Sequence, residues 1–352
     1  MIKKLIYISI SFLLMAFVVL TFISYERGGT SKFLAPPEII KVDAKKNGLH
    51  ITEFTLPARF TVDGVEIQAD RREIKYPDKL PILYIKEEEL GERNISRWFK
   101  PRKIDFLGET TATTDPTSLA FTESRWAIEG AENGYVTIGS LGSLTFTRNP
   151  QFSDQPFDVT KIKEDELRAQ ATSYVEKHGG TPSDAEIEAV WTGLRRRSGP
   201  GKYRNASSIP SSHYAEIRYR HSYKGIPIND DVIAVTLNHG VNEYVRRWHT
   251  ITPGPKSKII TPRAAVESVI RADKTRIKGQ GAISTYGIRL VYFDPKLHDP
   301  TTASEKPVLR PGWVIGLKER TEYLVDAFNG GVYEFHVIGL NSYSSTLMYE
   351  LY

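Results

Sequence analysis

The chain has 352 residues, 40% of them hydrophobic, which is enough for two or three packed domains and excludes a fully disordered protein. It has no cysteine, so disulfides, thiolate metal sites, a cysteine nucleophile and a lipidated N-terminal cysteine are excluded. Its 47 Lys and Arg and 42 Asp and Glu give a formal charge of +5, and no basic tract with interleaved aromatic residues predicts nucleic-acid binding.

The first predicted element is a membrane anchor. Residues 5–25 form an uncharged apolar run, and a helix of that length, at about 1.5 Å per residue, is long enough to cross the hydrocarbon layer. Lys3 and Lys4 precede it, which places the N-terminus in the cytoplasm and the rest of the chain outside. Ser9 and Ala16 lie on one side of this predicted helix and are candidates for contact with a second transmembrane helix.

A cleaved secretory signal peptide is the competing interpretation of this segment. Signal peptides have a shorter apolar core, roughly 7 to 15 residues, and a cleavage site with small residues. Here the run is longer, and Tyr25 stands where a small residue is expected. The pattern therefore favours an uncleaved anchor and a single-pass protein of the cell membrane with its domains outside the cytoplasm.

The rest of the chain predicts a tether and three modules. Glycines and prolines between residues 28 and 48 indicate the tether. The first module begins with two strands that turn at Asp63-Gly64 and includes a short helix over 86–99 and four further strands. The cytoplasmic tip with the anchor occupies residues 1–27, and the tether occupies 28–48. The three modules occupy 49–155, 156–255 and 256–340, and a C-terminal tail occupies 341–352.

The second module combines predicted helices with a meander of strands. Residues 164–177 are rich in Ala and Glu and have apolar residues at helical spacing. Residues 183–197 repeat that spacing, with Ile187 and Val190 on one predicted helical stripe. Residues 213–248 alternate apolar and polar side chains, and this pattern predicts three antiparallel strands with turns at Lys224-Gly225 and Asn238-His239-Gly240.

The third module repeats the order of a helix followed by strands. Thr261-Pro262 predicts the N-cap and first turn of a helix, and the following strands are predicted over 286–293, 308–317, 322–327 and 331–337. The sequence therefore predicts an α+β fold, in which a transmembrane helix precedes two or three duplicated modules of antiparallel sheet packed against helices.

Two short motifs carry a family resemblance. Tyr223, Gly225 and Pro227 belong to a Tyr-Lys-Gly-Ile-Pro-Ile run that resembles the strand connection of FTP and PepSY modules. Near the C-terminus, a Pro-x-Trp strand, a Tyr-x-Val-Asp-Ala strand and an Asn-Gly turn resemble the end of a PepSY module, and especially the YycH/YycI-like proteins. The residues of this second motif are Pro311, Trp313, Tyr323, Asp326 and Gly330.

The resemblance implies a regulatory protein without chemistry of its own. Proteins of that family have one N-terminal transmembrane helix and act by contact with a membrane sensor histidine kinase. The expected partners are therefore the membrane and such a kinase or another membrane protein. The alternative is a propeptide-like protease inhibitor or chaperone that acts in trans, since no protease domain follows in this chain.

A search for catalytic motifs predicts no enzyme. The chain has no His-Glu-x-x-His, no Gly-x-Ser-x-Gly and no phosphate-binding loop. The carboxylates of Asp231 and Asp326 are expected to stabilise turns. Hydrogen-bonded or solvated histidines, rather than a metal site, are expected in the meander, at His213, His221, His239 and His249. No cofactor is expected, and a cell-wall hydrolase whose catalytic residues are far apart in sequence is the remaining enzymatic alternative.

Overall fold

The computed structural model describes several stretches of the chain. They are residues 49–69, 73–112, 121–139, 142–149, 162–195, 212–238, 240–274, 283–285, 287–297, 307–316 and 322–335. The helices within these stretches are α1 (Glu92–Phe99), α2 (Glu164–Lys177) and α3 (Pro262–Ala272), with a short 3-10 turn at Pro295–Leu297.

Strands make up most of the described fold. In chain order they are β1 (Ile51–Thr55), β2 (Arg59–Val62), β3 (Val65–Ala69), β4 (Glu73–Pro77), β5 (Lys79–Glu87), β6 (Lys103–Ala112), β7 (Phe121–Glu129), β8 (Gly134–Gly139), β9 (Ser143–Arg148), β10 (Ala185–Arg195), β11 (Ser212–Tyr223), β12 (Ile226–Leu237), β13 (Val241–Arg247), β14 (His249–Lys258), β15 (Ile283–Thr285), β16 (Gly287–Phe293), β17 (Val308–Gly316), β18 (Glu322–Asp326) and β19 (Val332–Phe335).

Within the described residues, one mixed sheet of 14 strands dominates the fold. Its path runs β14-β5-β17-β16-β12-β13-β9-β8-β7-β6, with β11 and then β10 beside β12, and β18 and then β19 beside β17. Strand β12 belongs to both parts of this sheet. Its residues 232–237 pair with β13, while Ile228 near its start pairs in parallel with Tyr292 of β16. The two parts of the sheet are therefore joined through one continuous strand.

Two large hydrophobic cores and one small apolar cluster lie against the sheet among the described residues. In the first core, apolar residues of α1 and α2 such as Ile95 and Ala171 are buried with Ile217 of the sheet. In the second core, α3 packs through Val266 and its neighbours against β17 and β18. Each helix covers one face of part of the sheet, as expected for elements that must bury one apolar side.

Local turn chemistry follows the sequence pattern. Lys224 and Gly225 have positive φ values of 53° and 83°, which is the conformation of a tight hairpin turn between strands β11 and β12. Thr261 caps α3 as predicted, because its side chain accepts a 3.2 Å hydrogen bond from the backbone N–H of Ala264.

The predicted fold of duplicated α+β modules is wrong. The described fold is mostly β, and strand pairs cross the segments assigned to different modules. Strand β9 pairs with β13, and β5 pairs with both β14 and β17. The spacing of apolar residues shows that a strand exists, but its partner depends on contacts far away in sequence, so the module pattern did not predict this sheet.

The predicted helix over 183–197 is also wrong, since its residues 185–195 form strand β10. Ile187 lies opposite Tyr219 and Val190 opposite Ile217, with a shift of register between them. Residues three apart point to opposite faces of a regular strand, but the extra residue of a bulge returns them to the same face. Both Ile187 and Val190 accordingly pack on the first core. The bulge therefore produces the same spacing as one face of a helix.

The membrane interpretation needs correction as well. Across the described stretches, no helix is long and apolar enough to pass through a lipid bilayer. The prediction of a single-pass membrane protein with a signal anchor is therefore not supported and is withdrawn. The segment 5–25, with Ser9 and Ala16, and the tether over 28–48 lie outside the described residues.

Candidate functional site

The strand at one end of the large sheet has one edge without a described partner strand. β6 pairs with β7 on one side, and no described strand pairs with its other side. None of the residues from Lys103 to Thr111 is buried. Phe106 and Leu107, at the centre of the strand, are 58% and 52% exposed. The strand therefore offers an apolar pair beside an open backbone edge, which is the usual template for pairing with another chain.

A β-bulge explains why Phe106 and Leu107 lie together at the surface. Phe106 is opposite Trp126 and Gly108 is opposite Arg125, so Leu107 is the extra residue of the bulged strand. Gly108 has a φ of 128°, which side chains other than glycine rarely adopt. The rings of Phe106 and Trp126 lie 5.5 Å apart, which leaves most of the Phe106 ring exposed.

Charged and polar groups surround this apolar pair. The Lys103 Nζ atom lies 2.5 Å from Asp105 Oδ2 on the same strand. On the other side of the bulge, the Ser124 hydroxyl donates a 3.1 Å hydrogen bond to Glu109 Oε1. Apolar side chains within a polar rim are the general arrangement of protein-binding surfaces.

The most polar buried cluster joins two histidines to one carboxylate. His221 Nδ1 lies 2.6 Å from Asp231 Oδ2, and His249 Nδ1 contacts Asp231 Oδ1. The backbone N–H of His249 also donates to Asp231 Oδ2 at 3.2 Å. His221 Nε2 lies 2.8 Å from Asp184 Oδ2 without hydrogen-bond alignment, and the ring of His221 stacks on Trp248. The cluster therefore links strands β11, β12 and β14.

The electrostatics of this cluster indicate an ionised Asp231. Its burial opposes ionisation, but the hydrogen bonds and charges of His221 and His249 outweigh burial and keep the pKa of Asp231 below its ordinary value. An ionised carboxylate only accepts hydrogen bonds, so both histidines donate from Nδ1. Asp231 is thus engaged with groups of the chain itself, and the meander predicted from sequence does bring two of its histidines together. His239 lies outside the described residues.

A second polar cluster holds α2 against the sheet. The Tyr174 hydroxyl donates a 2.5 Å hydrogen bond to Glu132, whose other oxygen lies 3.0 Å from His178 Nε2. Burial, reinforced by the Glu132 charge, raises the pKa of Tyr174 far above its ordinary value. Burial also raises the pKa of Tyr244 to about 12, and its hydroxyl donates to the His178 carbonyl at 2.8 Å. These groups have a structural role, since each is hydrogen-bonded to another part of the chain.

The described side chains do not assemble a metal centre. Throughout the described stretches, no group of three or more His, Asp or Glu side chains is arranged to hold a metal ion. The paired carboxylate and imidazoles of the buried cluster are bonded to one another instead.

The residues of the two sequence motifs occupy structural positions. Trp313 donates from its indole N–H to the Ile260 carbonyl at 3.0 Å, and Tyr323 donates to Asp273 at 2.6 Å. As predicted, Asp326 anchors the following turn, because its Oδ1 accepts the backbone N–H of Phe328 at 2.7 Å. The remaining motif residues lie in strands or turns of the sheet and are Tyr223, Gly225, Pro227, Pro311 and Gly330.

Sequence reasoning missed the exposed pair on β6. The only local signal was Phe106-Leu107-Gly108, two large apolar residues followed by glycine within a polar stretch. That signal does not distinguish a buried strand from an exposed edge, because exposure depends on which strand ends the sheet.

Comparison with known proteins identifies no family. The sequence matches no described protein family and no curated protein. Among solved structures, the chain is similar to an uncharacterized protein from Eubacterium rectale ATCC 33656, with a TM-score of 0.45 and 9% sequence identity. The similarity covers 80% of this chain and 94% of the other. The resemblance to PepSY and YycH/YycI proteins therefore stays a prediction.

Proposed function

We propose that this chain is a non-catalytic regulatory protein that binds an extended segment of a protein partner along β6. The observation that carries the proposal is the exposed Phe106-Leu107 pair on an edge strand without a described second partner. Two adjacent large apolar side chains at such an edge serve as anchors, while the polar groups around them exclude water at the rim.

The backbone of β6 supplies the second part of the proposed recognition. An added strand hydrogen-bonds to the open N–H and C=O groups of an edge, and alternate side chains of that strand fill neighbouring pockets. The bulge at Leu107 interrupts a continuous ladder, so the bound segment is expected to pair on one side of the bulge and to place an apolar residue against Phe106.

A sensor histidine kinase is the first partner to test, because the motif resemblance implies that class. The full chain is titrated calorimetrically with the purified sensor domain of such a kinase from the same organism. The double variant Phe106→Ser, Leu107→Ser is expected to bind at least about 2 kcal/mol more weakly, the usual loss at a central anchor of an interface.

The matched control is Tyr84→Ser, which removes another large side chain, 41% exposed, from β5. This variant is expected to bind like the wild type, and far-UV circular dichroism checks that all variants are folded. If the wild type does not bind the kinase domain, the kinase is the wrong partner. If the double variant binds as tightly as the wild type, β6 is not the binding edge.

A further inference from the structure

Arginines and two buried carboxylates, Glu216 and Glu243, lie on the sheet face opposite the first core. In strands β11, β12 and β13, Arg220 lies opposite Val232, and Val232 lies opposite Arg247. Residues directly opposite each other across an antiparallel pair share one face of the sheet. Arg220 and Arg247 are therefore on the same face, two strand spacings or about 10 Å apart at the backbone. Two long side chains at that separation can reach one small ligand between them.

Arg247 is buried and has hydrogen-bond donors without an acceptor. It is 8% exposed, and its Nε and Nη2 atoms are buried without a hydrogen-bond partner among the described residues. The Nε of Arg220 is in the same condition, while Arg220 Nη2 lies 3.5 Å from Glu186. Buried charged groups normally have partners, because removal from water without replacement bonds is costly.

The neighbouring Arg246 shows what a satisfied guanidinium looks like in this sheet. Arg246, on the opposite face, donates from Nε and Nη2 to the Glu88 carboxylate at 2.8 and 3.3 Å and from Nη1 to the Gly180 carbonyl at 2.9 Å. Arg218 donates to Glu216 at 2.8 Å. Arg246 and Arg218 thus each have a carboxylate acceptor, whereas no described residue accepts a hydrogen bond from Nε or Nη2 of Arg247.

The two unbonded donors of Arg247, Nε–H and Nη2–H, indicate the chemistry of the ligand. Nε–H and Nη2–H form the side-on edge of the guanidinium fork, and their parallel bonds match two oxygens of one carboxylate or phosphate group. We propose that Arg247, assisted by Arg220, binds a small oxyanion of the carboxylate or phosphate type on this face of the sheet. This site is independent of the proposed binding edge at β6.

The test uses the full chain and two probes, inorganic phosphate and succinate, at constant ionic strength adjusted with chloride. A rise in the thermal unfolding midpoint is expected with one or both probes, because a ligand that binds only the folded state stabilises it by RT ln(1 + [L]/Kd) and the rise continues with the logarithm of probe concentration. Comparison of the probes distinguishes a phosphate ligand from a carboxylate ligand. The absence of such a rise with either probe, relative to chloride at the same ionic strength, would overturn the proposal.

The variants locate the effect. Arg247→Lys keeps the charge but lacks the fork, and it is expected to bind the probe at least about tenfold more weakly. Arg220→Gln is expected to weaken binding to a smaller extent. Arg125→Gln, on the same face in strand β7, is the control and is expected to behave like the wild type. An unchanged response in both Arg247→Lys and Arg220→Gln would show an adventitious ion only.

Discussion

At the residue scale, the stability of this protein depends on a few buried charges with exact partners. Asp231 joins His221 and His249, Glu132 joins Tyr174 and His178, and Arg246 joins Glu88. In each case the partners come from different elements, so a single substitution loosens contacts between strands or between a helix and the sheet. Such pairs are costly to break, because the remaining partner stays buried without compensation.

Replacement of Asp231 by Asn is expected to destabilise the fold by about 3–5 kcal/mol, since Asn is uncharged and has one acceptor oxygen for two histidine donors. The change also alters the response to acid. The pKa of Asp231 in the folded protein lies below its ordinary value of 3.8, so its contribution is complete above that value and is lost as the pH falls through the lower pKa of the folded state.

Urea unfolding between pH 7 and pH 3 measures this effect. The wild type is expected to lose stability as the pH falls below about 4, and Asp231→Asn is expected to lose less over the same range. Asp184→Asn is the control, because Asp184 is 48% exposed and lies beside the other nitrogen of His221. Equal acid sensitivity of the wild type and Asp231→Asn would contradict the assignment.

Two buried tyrosine hydroxyls donate to acceptors of different charge. Tyr174→Phe removes the donor to the Glu132 carboxylate, and Tyr292→Phe removes the donor to the Pro81 backbone carbonyl. Loss of a bond to a charged group is expected to cost about 1.5–3 kcal/mol, compared with about 1 kcal/mol for the neutral bond. Urea unfolding of both variants gives the comparison, and an equal or reversed order would contradict it.

At the element scale, bulges decide the orientation of two strands. In β10 a bulge after Ile187 puts residues with helical spacing on one side of a strand, and in β6 a bulge at Leu107 places two apolar side chains at the surface. A bulge adds one residue to one strand of a pair, so it changes every face assignment that follows. The bulge in β6 therefore determines the shape of the candidate binding edge.

Gly108→Ala tests the role of this bulge. A Cβ at position 108 would meet no atom within 4 Å, but the φ of 128° is strained for alanine. We expect a loss of about 1–3 kcal/mol in unfolding free energy from this backbone strain. Partner binding along β6 is expected to weaken with it.

The control for this prediction is Thr110→Ala, an exposed residue on the same strand. Thermal and urea unfolding are expected to show almost no change for this variant. A similarly small effect of Gly108→Ala would mean that the bulge can adopt another conformation.

At the scale of the whole molecule, one sheet joins the two cores. Strand β12 pairs with β13 beside the first core and with β16 beside the second, and β5 pairs with both β14 and β17. When one core unfolds, the other is expected to lose stability, because the same strand is hydrogen-bonded in both parts of the sheet. The two cores are therefore expected to unfold together.

Substitutions in each core test this cooperativity. Ile217→Ala in the first core and Ile270→Ala in the second each remove a fully buried side chain and are expected to cost about 2–5 kcal/mol. Both variants should lower the same single transition when tryptophan fluorescence and far-UV circular dichroism are followed together. Ile217→Val and Ile270→Val, expected to cost about 0.5–1.5 kcal/mol, are the controls. Two separate transitions would show that the cores unfold independently.

Local turns and caps could be predicted from the sequence, whereas the candidate binding edge on β6 could not. The tight turn at Lys224-Gly225, the cap at Thr261 and the turn anchored by Asp326 were predicted, because each involves groups only a few residues apart. The exposure of Phe106 was not, because an edge strand has the same local pattern as an interior strand until its neighbours are known. The meeting of His221 and His249 at Asp231 also required the strand register.

The sequence by itself determined the short-range features of this protein: the meander over 213–248, the helices over 164–177 and after Thr261, and the glycine turns between strands. Their physical basis is local, since turn φ values, capping and apolar spacing act within a few residues. Only the tertiary structure decided that 14 of the described strands join one mixed sheet, that 185–195 is a strand and that β6 lies at the edge of that sheet among the described strands. Those outcomes depend on hydrogen bonds and buried surfaces between segments far apart in the chain, as between Arg246 and Glu88.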